Sequence, residues 1–200
     1  VEGHSAAVGG AIVTRDAALA ERIRRTRKSI GTIQTPHNAW QTLQGARTLP
    51  LRLAEQSRTA ARLARLLESD ARIGRVHYPG LRSFAQADIA RRQHLGAHGA
   101  VLSFEAPGGL EGAKALARSV RLCSLVEHVG SVETLLTHSA SMTHADVPRE
   151  QREAVGVTDA LLRLSVGLED AEDIIADLDQ AIDAALAATQ ERSTPCLATA

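Results

Sequence analysis

The chain has 200 residues, enough to bury a sizeable core, and its 23 basic and 23 acidic side chains cancel, so its charge does not favour a polyanion such as nucleic acid. Hydrophobic residues make up 44% and aromatic ones only 2%, so the core must be built from Leu, Val, Ile and Ala, and base-stacking platforms are nearly excluded. No apolar run reaches the ~20 residues of a membrane span, there is no signal-peptide pattern, and Cys123 and Cys196 are too scattered for a disulfide framework or a zinc site; a reducing cytoplasm is the expectation.

In chain order, Ala7 to Thr14 (AVGGAIVT) reads as a buried strand whose paired glycines allow close packing. A helix is expected over Ala17 to Ser29, with Asp16 as its N-cap and Leu19, Ile23 and Ile30 as an apolar stripe. Its other face is basic (RIRRTRK, Arg22–Lys28), which in a neutral chain is a solvated surface rather than a nucleic-acid patch. Gly31 to Asn38 is a turn-rich connector, and Trp40 opens the next helical segment. A long helix follows from Leu49 to Ser69, with Leu53, Ala60, Leu63 and Leu67 on one face and arginines on the other.

The remainder alternates short strands and helices. Ile73 to His77 is a strand ended by the Pro79–Gly80 turn, Asp88 to His94 a short helix, Ala100 to Glu105 a strand and Leu110 to Val120 a helix. Leu122 to Val126 is apolar and leads into Glu127 and His128. Leu161 to Gly167 (LLRLSVG) is a short buried strand with one charge, Arg163, set into it. An arginine there is costly unless it meets an anion, either a carboxylate gripped by its rigid fork or a structural ion-pair partner; spacing leaves both open. Ala171, Ile174, Ile175, Leu178, Ala181 and Ile182 carry the clearest helical period, with acidic residues at its N-terminal end. Residues 189–200 carry no pattern and are expected to form a disordered tail. His138 and His144 lack a third ligand at usable spacing, so a metal site is rejected.

The run SMTHADVPREQREAVGVTDALLRLSVGLED, Ser141 to Asp170, resembles the C-terminal part of the cystathionine gamma-synthase/gamma-lyase family, the pyridoxal-phosphate (PLP) enzymes of cysteine and methionine metabolism. GHSAAVGGAIV, TLPLR at Thr48–Arg52, YPGL at Tyr78–Leu81 and GAVLSFE at Gly99–Glu105 fit the same family in the same order, so the resemblance extends to about Leu186. It implies an α/β chain of the fold-type-I PLP-dependent transferase class. Residues 1–47 would end the large PLP-binding domain, and 48–188 would form a linking helix and a small domain with a mainly antiparallel sheet. The cofactor would be pyridoxal 5'-phosphate, held by a lysine that the resemblance places just upstream of Val1. A cytoplasmic homo-oligomer, a tetramer, is implied as well.

The resemblance also assigns site residues. Arg163 matches the arginine that clamps the substrate α-carboxylate, and Thr143 the threonine beside that carboxylate. Glu127 matches a glutamate that faces the far end of the substrate and favours a distal ammonium group. His128 replaces the serine that helps hold the carboxylate, and an imidazole, being bulkier, either takes over that role or narrows the pocket. The activity implied is gamma-elimination on cystathionine, with gamma-replacement on an activated homoserine or methionine gamma-elimination as alternatives. A non-catalytic interaction module is the reading of another class. Lys28 and Lys114 are the only lysines, and neither has a sheltered setting.

Overall fold

The computed structural model describes the backbone of residues 1–193 and the side chains of residues 1–190. The chain divides into two compact units, Val1–Pro50 and the part from Leu51 onward.

In the first unit, helix α1 (Ala17–Ile30) starts where the cap signal lies: the Asp16 carboxylate accepts from the backbone N–H groups of Ala18 and Leu19, satisfying two donors that have no partner within the helix. Gly31, at φ +74°, ends it, returning its N–H to the Arg27 carbonyl at 3.1 Å. Helix α2 (Pro36–Ser69) then runs without interruption past Pro50 to the boundary residue expected from its period. It begins earlier than the sequence indicates, because Pro36 is well suited to a first helical turn and the connector is correspondingly shorter.

The strand expected over Ala7 to Thr14 is not formed. Those residues lie without regular structure, with Val8 88% and Val13 92% exposed. A strand needs a ladder partner, and among the described residues of this unit there is none. The stripe of α1 is likewise uncovered, since no residue of that helix is buried. The N-terminus is instead packed against α2, crossing it at Gly45, where a Cβ would lie 2.4 Å from the Glu2 carbonyl oxygen.

The second unit is built on a five-stranded sheet. Its strands are β1 (Val76–His77), β2 (Val101–Glu105), β3 (Ser124–Leu125), β4 (Leu135–His138) and β5 (Leu161–Ser165), in the order β1-β2-β5-β4-β3. Every neighbouring pair is antiparallel except β3–β4. Strand β1 is shorter than Ile73–His77 because Ile73 is taken into the turn after α2, its N–H bonded to the Asp70 carbonyl. Between the strands lie α3 (Ala87–Gln93), α4 (Gly109–Ser119), a 3-10 turn (Ser139–Ser141) and α5 (Arg149–Ala154), and after β5 comes the last helix, α6 (Ala171–Ser193). Helix α6 continues through residues 189–193, where a tail was expected; residues 194–200 lie outside the described part.

Strand alternation gives this sheet two unlike faces. Leu102, Phe104, Leu136, Leu162 and Leu164 point to one side and join Leu116 of α4, Ile174, Leu178 and Ile182 of α6, and Leu63 and Leu67 of α2 in a single core. Leu53, expected on the same face of α2, is 44% exposed because its turn lies beyond that cluster. Three acidic groups, Asp70, Asp179 and Asp183, converge on Arg72 and fasten α6 to the end of α2. The opposite sheet face carries Ser103, Thr137, Arg163 and Ser165. It is there that the charge set into the apolar strand emerges.

Candidate functional site

Arg163 occupies the middle of β5, in register with Ser103 on β2 and Thr137 on β4. Its flanking leucines, Leu162 and Leu164, are fully buried on the core side, so alternation forces the guanidinium onto the polar face. Two acceptors hold one end of it: Nη2 donates to the His128 carbonyl oxygen at 3.1 Å and to Thr137 Oγ1 at 3.1 Å. Its Nε is shielded from solvent and has no acceptor. Among the described residues no carboxylate lies within ion-pair reach of Arg163. Leaving a buried charged donor unmet costs about 1–3 kcal/mol or more. Such a group is suited to receiving an anion.

The segment after β3 is laid over this face and pinned at four points. Thr137 Oγ1 donates to the Val126 carbonyl at 2.7 Å, and Arg163 holds the His128 carbonyl. The Gly130 N–H donates to Ser165 Oγ at 2.9 Å, with Gly130 at φ +83°, a conformation side chains disfavour. Gln56 Nε2 of α2 donates to the Ser131 carbonyl at 2.6 Å. The same segment is fixed further back by Asp177 of α6, whose carboxylate accepts from the N–H groups of Arg121, Leu122 and Cys123 at 2.7–2.9 Å. Burial alone would push that carboxyl up, but the three N–H bonds outweigh it and hold it below the usual range. Burial beside Asp177 pushes the Cys123 thiol far up, so it is an inert core group rather than a nucleophile.

Of the four residues singled out in the sequence, two are joined directly, but through an unexpected atom. It is the backbone carbonyl of His128, not its imidazole, that meets Arg163; the ring is exposed and has no hydrogen bond among the described residues. Glu127 is exposed too, and it forms no ion pair with His128. Thr143 lies beyond the 3-10 turn, its Oγ1 2.8 Å from the ring Nδ1 of His144, and no hydrogen bond joins it to Arg163.

The Thr143 loop is nevertheless tied to the same sheet. His138, the last residue of β4, is 1% exposed and bridges Ser141 Oγ at 2.6 Å and the Asp159 carbonyl at 2.9 Å. Arg152, also buried, holds Asp159 through its guanidinium and the Val157 carbonyl at 2.9 Å. No group of three His, Cys, Asp or Glu side chains among the described residues is placed to hold a metal ion. Among the described residues no helix is long and apolar enough to cross a membrane. Thr137, Ser165, Gln56 and Asp177 escaped the sequence reading. Only Asp177 left a trace there, as an acid inside the apolar stripe of α6.

A model of the family described as Cys/Met metabolism PLP-dependent enzyme matches residues 1–183. The chain is 40% identical over 185 residues to the L-methionine gamma-lyase of Fusobacterium nucleatum subsp. polymorphum, covering 92% of this chain and 46% of that protein. It is 40% identical over 184 residues to the cystathionine gamma-lyase of Saccharomyces cerevisiae, covering 91% and 47%. Among solved structures, cystathionine gamma synthase from Xanthomonas oryzae pv. oryzae in complex with cystathionine superposes with a TM-score of 0.88 and 41% identity, over 94% of this chain and 48% of that one. Cystathionine gamma-lyase from yeast superposes with a TM-score of 0.89 and 40% identity, over 92% and 48%. The chain spans about half the length of the curated relatives it matches.

Proposed function

This chain belongs to the family of Cys/Met metabolism PLP-dependent enzymes, and on that premise we propose that its protein cleaves the gamma carbon–sulfur bond of cystathionine, consuming one water and releasing cysteine, 2-oxobutanoate and ammonia. The observation that carries the reading is the unpaired guanidinium of Arg163, held by Thr137 and the His128 carbonyl with its buried Nε unmet. PLP, when bound, supplies the electron sink for bonds broken at the substrate Cα and Cβ. Arg163 grips the α-carboxylate and so orients the Cα–H bond for removal. Thr143 stands near that carboxylate, and His128 completes the wall beside it. Glu127 attracts the ammonium at the far end of cystathionine, which methionine lacks.

Of this chain's own lysines, Lys28 is exposed on α1 and Lys114 on α4 pairs with Glu111 at 3.4 Å. The described residues therefore fit the substrate end of the chemistry, not the anchoring of the cofactor. Residues 1–47 are read as the end of the large domain and 48–188 as linking helix and small domain, within a cytoplasmic homotetramer. Gamma-replacement on an activated homoserine is the second reading, favoured by an equal likeness to the Xanthomonas synthase.

Arg163→Ala in the full-length protein tests the first reading. The expected outcome is a loss of about 2–4 kcal/mol in kcat/KM for cystathionine, as for a charge-assisted pair, with PLP absorbance retained. Unchanged kinetics would remove Arg163 from the site. Supplying cysteine and an activated homoserine, and scoring cystathionine formed against cystathionine consumed, separates synthase from lyase.

A further inference from the structure

Thr137 has a place in this site that neither the motifs nor the comparisons assign. It is fully buried, directly opposite Arg163 in the β4–β5 register, and its single hydroxyl serves two partners at once. The hydroxyl proton goes to the Val126 carbonyl at 2.7 Å, so the oxygen lone pairs are left to accept from Arg163 Nη2 at 3.1 Å. One atom thus ties the arginine to the residue immediately before Glu127.

The second tether of that loop comes from the neighbouring strand, β5. Ser165, two residues beyond Arg163 and on the same face, accepts from the Gly130 N–H. The His128 carbonyl that completes the grip on Nη2 therefore lies between two anchored points, Val126 and Gly130. Displacing Val126 would move both that carbonyl and Glu127.

We propose that Thr137 is a positioning residue that couples the Arg163 clamp to the Val126–Gly130 loop, so that the grip on the α-carboxylate and the choice of the substrate's far end are set by one hydroxyl. This rests on the reading of Arg163 and Glu127 given above. A buried threonine with both donor and acceptor engaged also fixes the guanidinium plane, because Nη2 has two acceptors on known sides and little freedom to rotate. Valine has the same shape without the hydroxyl. It would leave the arginine held by the His128 carbonyl alone, and Val126 without its side-chain tether.

The test uses the full-length holoenzyme with Thr137→Val, Thr137→Ser and Arg163→Ala, assayed on cystathionine and on methionine. Thr137→Ser keeps both hydrogen bonds and is expected to stay within twofold of the parent. Thr137→Val is expected to lower kcat/KM at least tenfold, chiefly through KM, and to shift the cystathionine-to-methionine ratio at least threefold, with PLP absorbance retained at the assay temperature. If Thr137→Val does not fold, Thr137→Ala is judged by the same ratio. Equal behaviour of the valine and serine variants, or a loss confined to kcat with an unchanged ratio, overturns the coupling. Should Arg163→Ala itself leave both substrates untouched, the underlying function has failed; should Arg163→Ala fall while Thr137→Val does not, only the coupling has.

Discussion

Arg163 and Glu127 stand at opposite ends of the substrate in the proposed reaction, and their surroundings differ as much as their charges. Arg163 is drawn into a sheet and loses water, so an arriving carboxylate meets a guanidinium that the protein has left short of partners. Glu127 is exposed, so its charge acts only to the extent that bound substrate strips water from it. Its contribution is accordingly smaller, about 1 kcal/mol, the range for a mostly solvated pair. Glu127→Val is expected to reduce the cystathionine-to-methionine ratio of kcat/KM severalfold, with a modest gain for the thioether; measuring both substrates on the one variant checks it, and an unchanged ratio would take Glu127 out of the specificity wall. Arg163 was legible in the sequence because a charge inside LLRLSVG breaks the hydrophobic pattern. Thr137 was not, since a threonine inside a strand is ordinary and its partner lies 26 residues away.

Among the elements, α1 and α6 show what local sequence carries. Asp16 and Gly31 bracket α1 by side-chain and backbone bonds made within a few residues, so its ends are written beside it. Helix α6 also does something non-local through Asp177, which gathers three N–H groups from the segment leading to β3. Asp177→Asn is expected to cost about 1.5–3 kcal/mol of unfolding free energy at neutral pH, the range for hydrogen bonds to a charged group. Because the folded-state pKa of Asp177 is depressed, its contribution is complete above the ordinary aspartate value of 3.8 and is lost as pH falls through the lower folded value. Denaturant unfolding of parent and variant from pH 7 down to 2 checks the sign: the gap is expected to hold to about pH 4 and close below it. A gap that widens in acid would mean that the carboxyl is held neutral.

At the scale of the molecule, the two compact units divide the chain's work unevenly. The unit from Leu51 onward has its own apolar core and carries Arg163, Glu127, His128 and Thr143. The unit Val1–Pro50 carries Lys28, exposed on a basic helix, and Lys114 in the other unit is already paired with Glu111. An exposed or ion-paired ammonium lacks the sheltered, apolar setting that an imine-forming lysine needs. Incubating the full-length protein with PLP, reducing with borohydride and mapping the peptides is expected to leave both lysines unlabelled; stoichiometric label on either would relocate the cofactor.

The sequence alone settled what depends on near neighbours and on ordered motifs: the family, the alternation of helix and strand over most of the chain, the N-cap of α1, the end of α2 and the charge at Arg163. The tertiary structure decided the rest, because those features arise from residues far apart in the chain. Whether Ala7 to Thr14 becomes a strand depends on a ladder partner that its own residues do not specify. Which atom of His128 meets Arg163 depends on how Thr137 and Ser165, brought together by antiparallel pairing, pin the loop between them. Hydrophobic period reports which face is buried, but a hydrogen bond needs a register, and the register of β4 against β5 is set only when the whole sheet closes on its core.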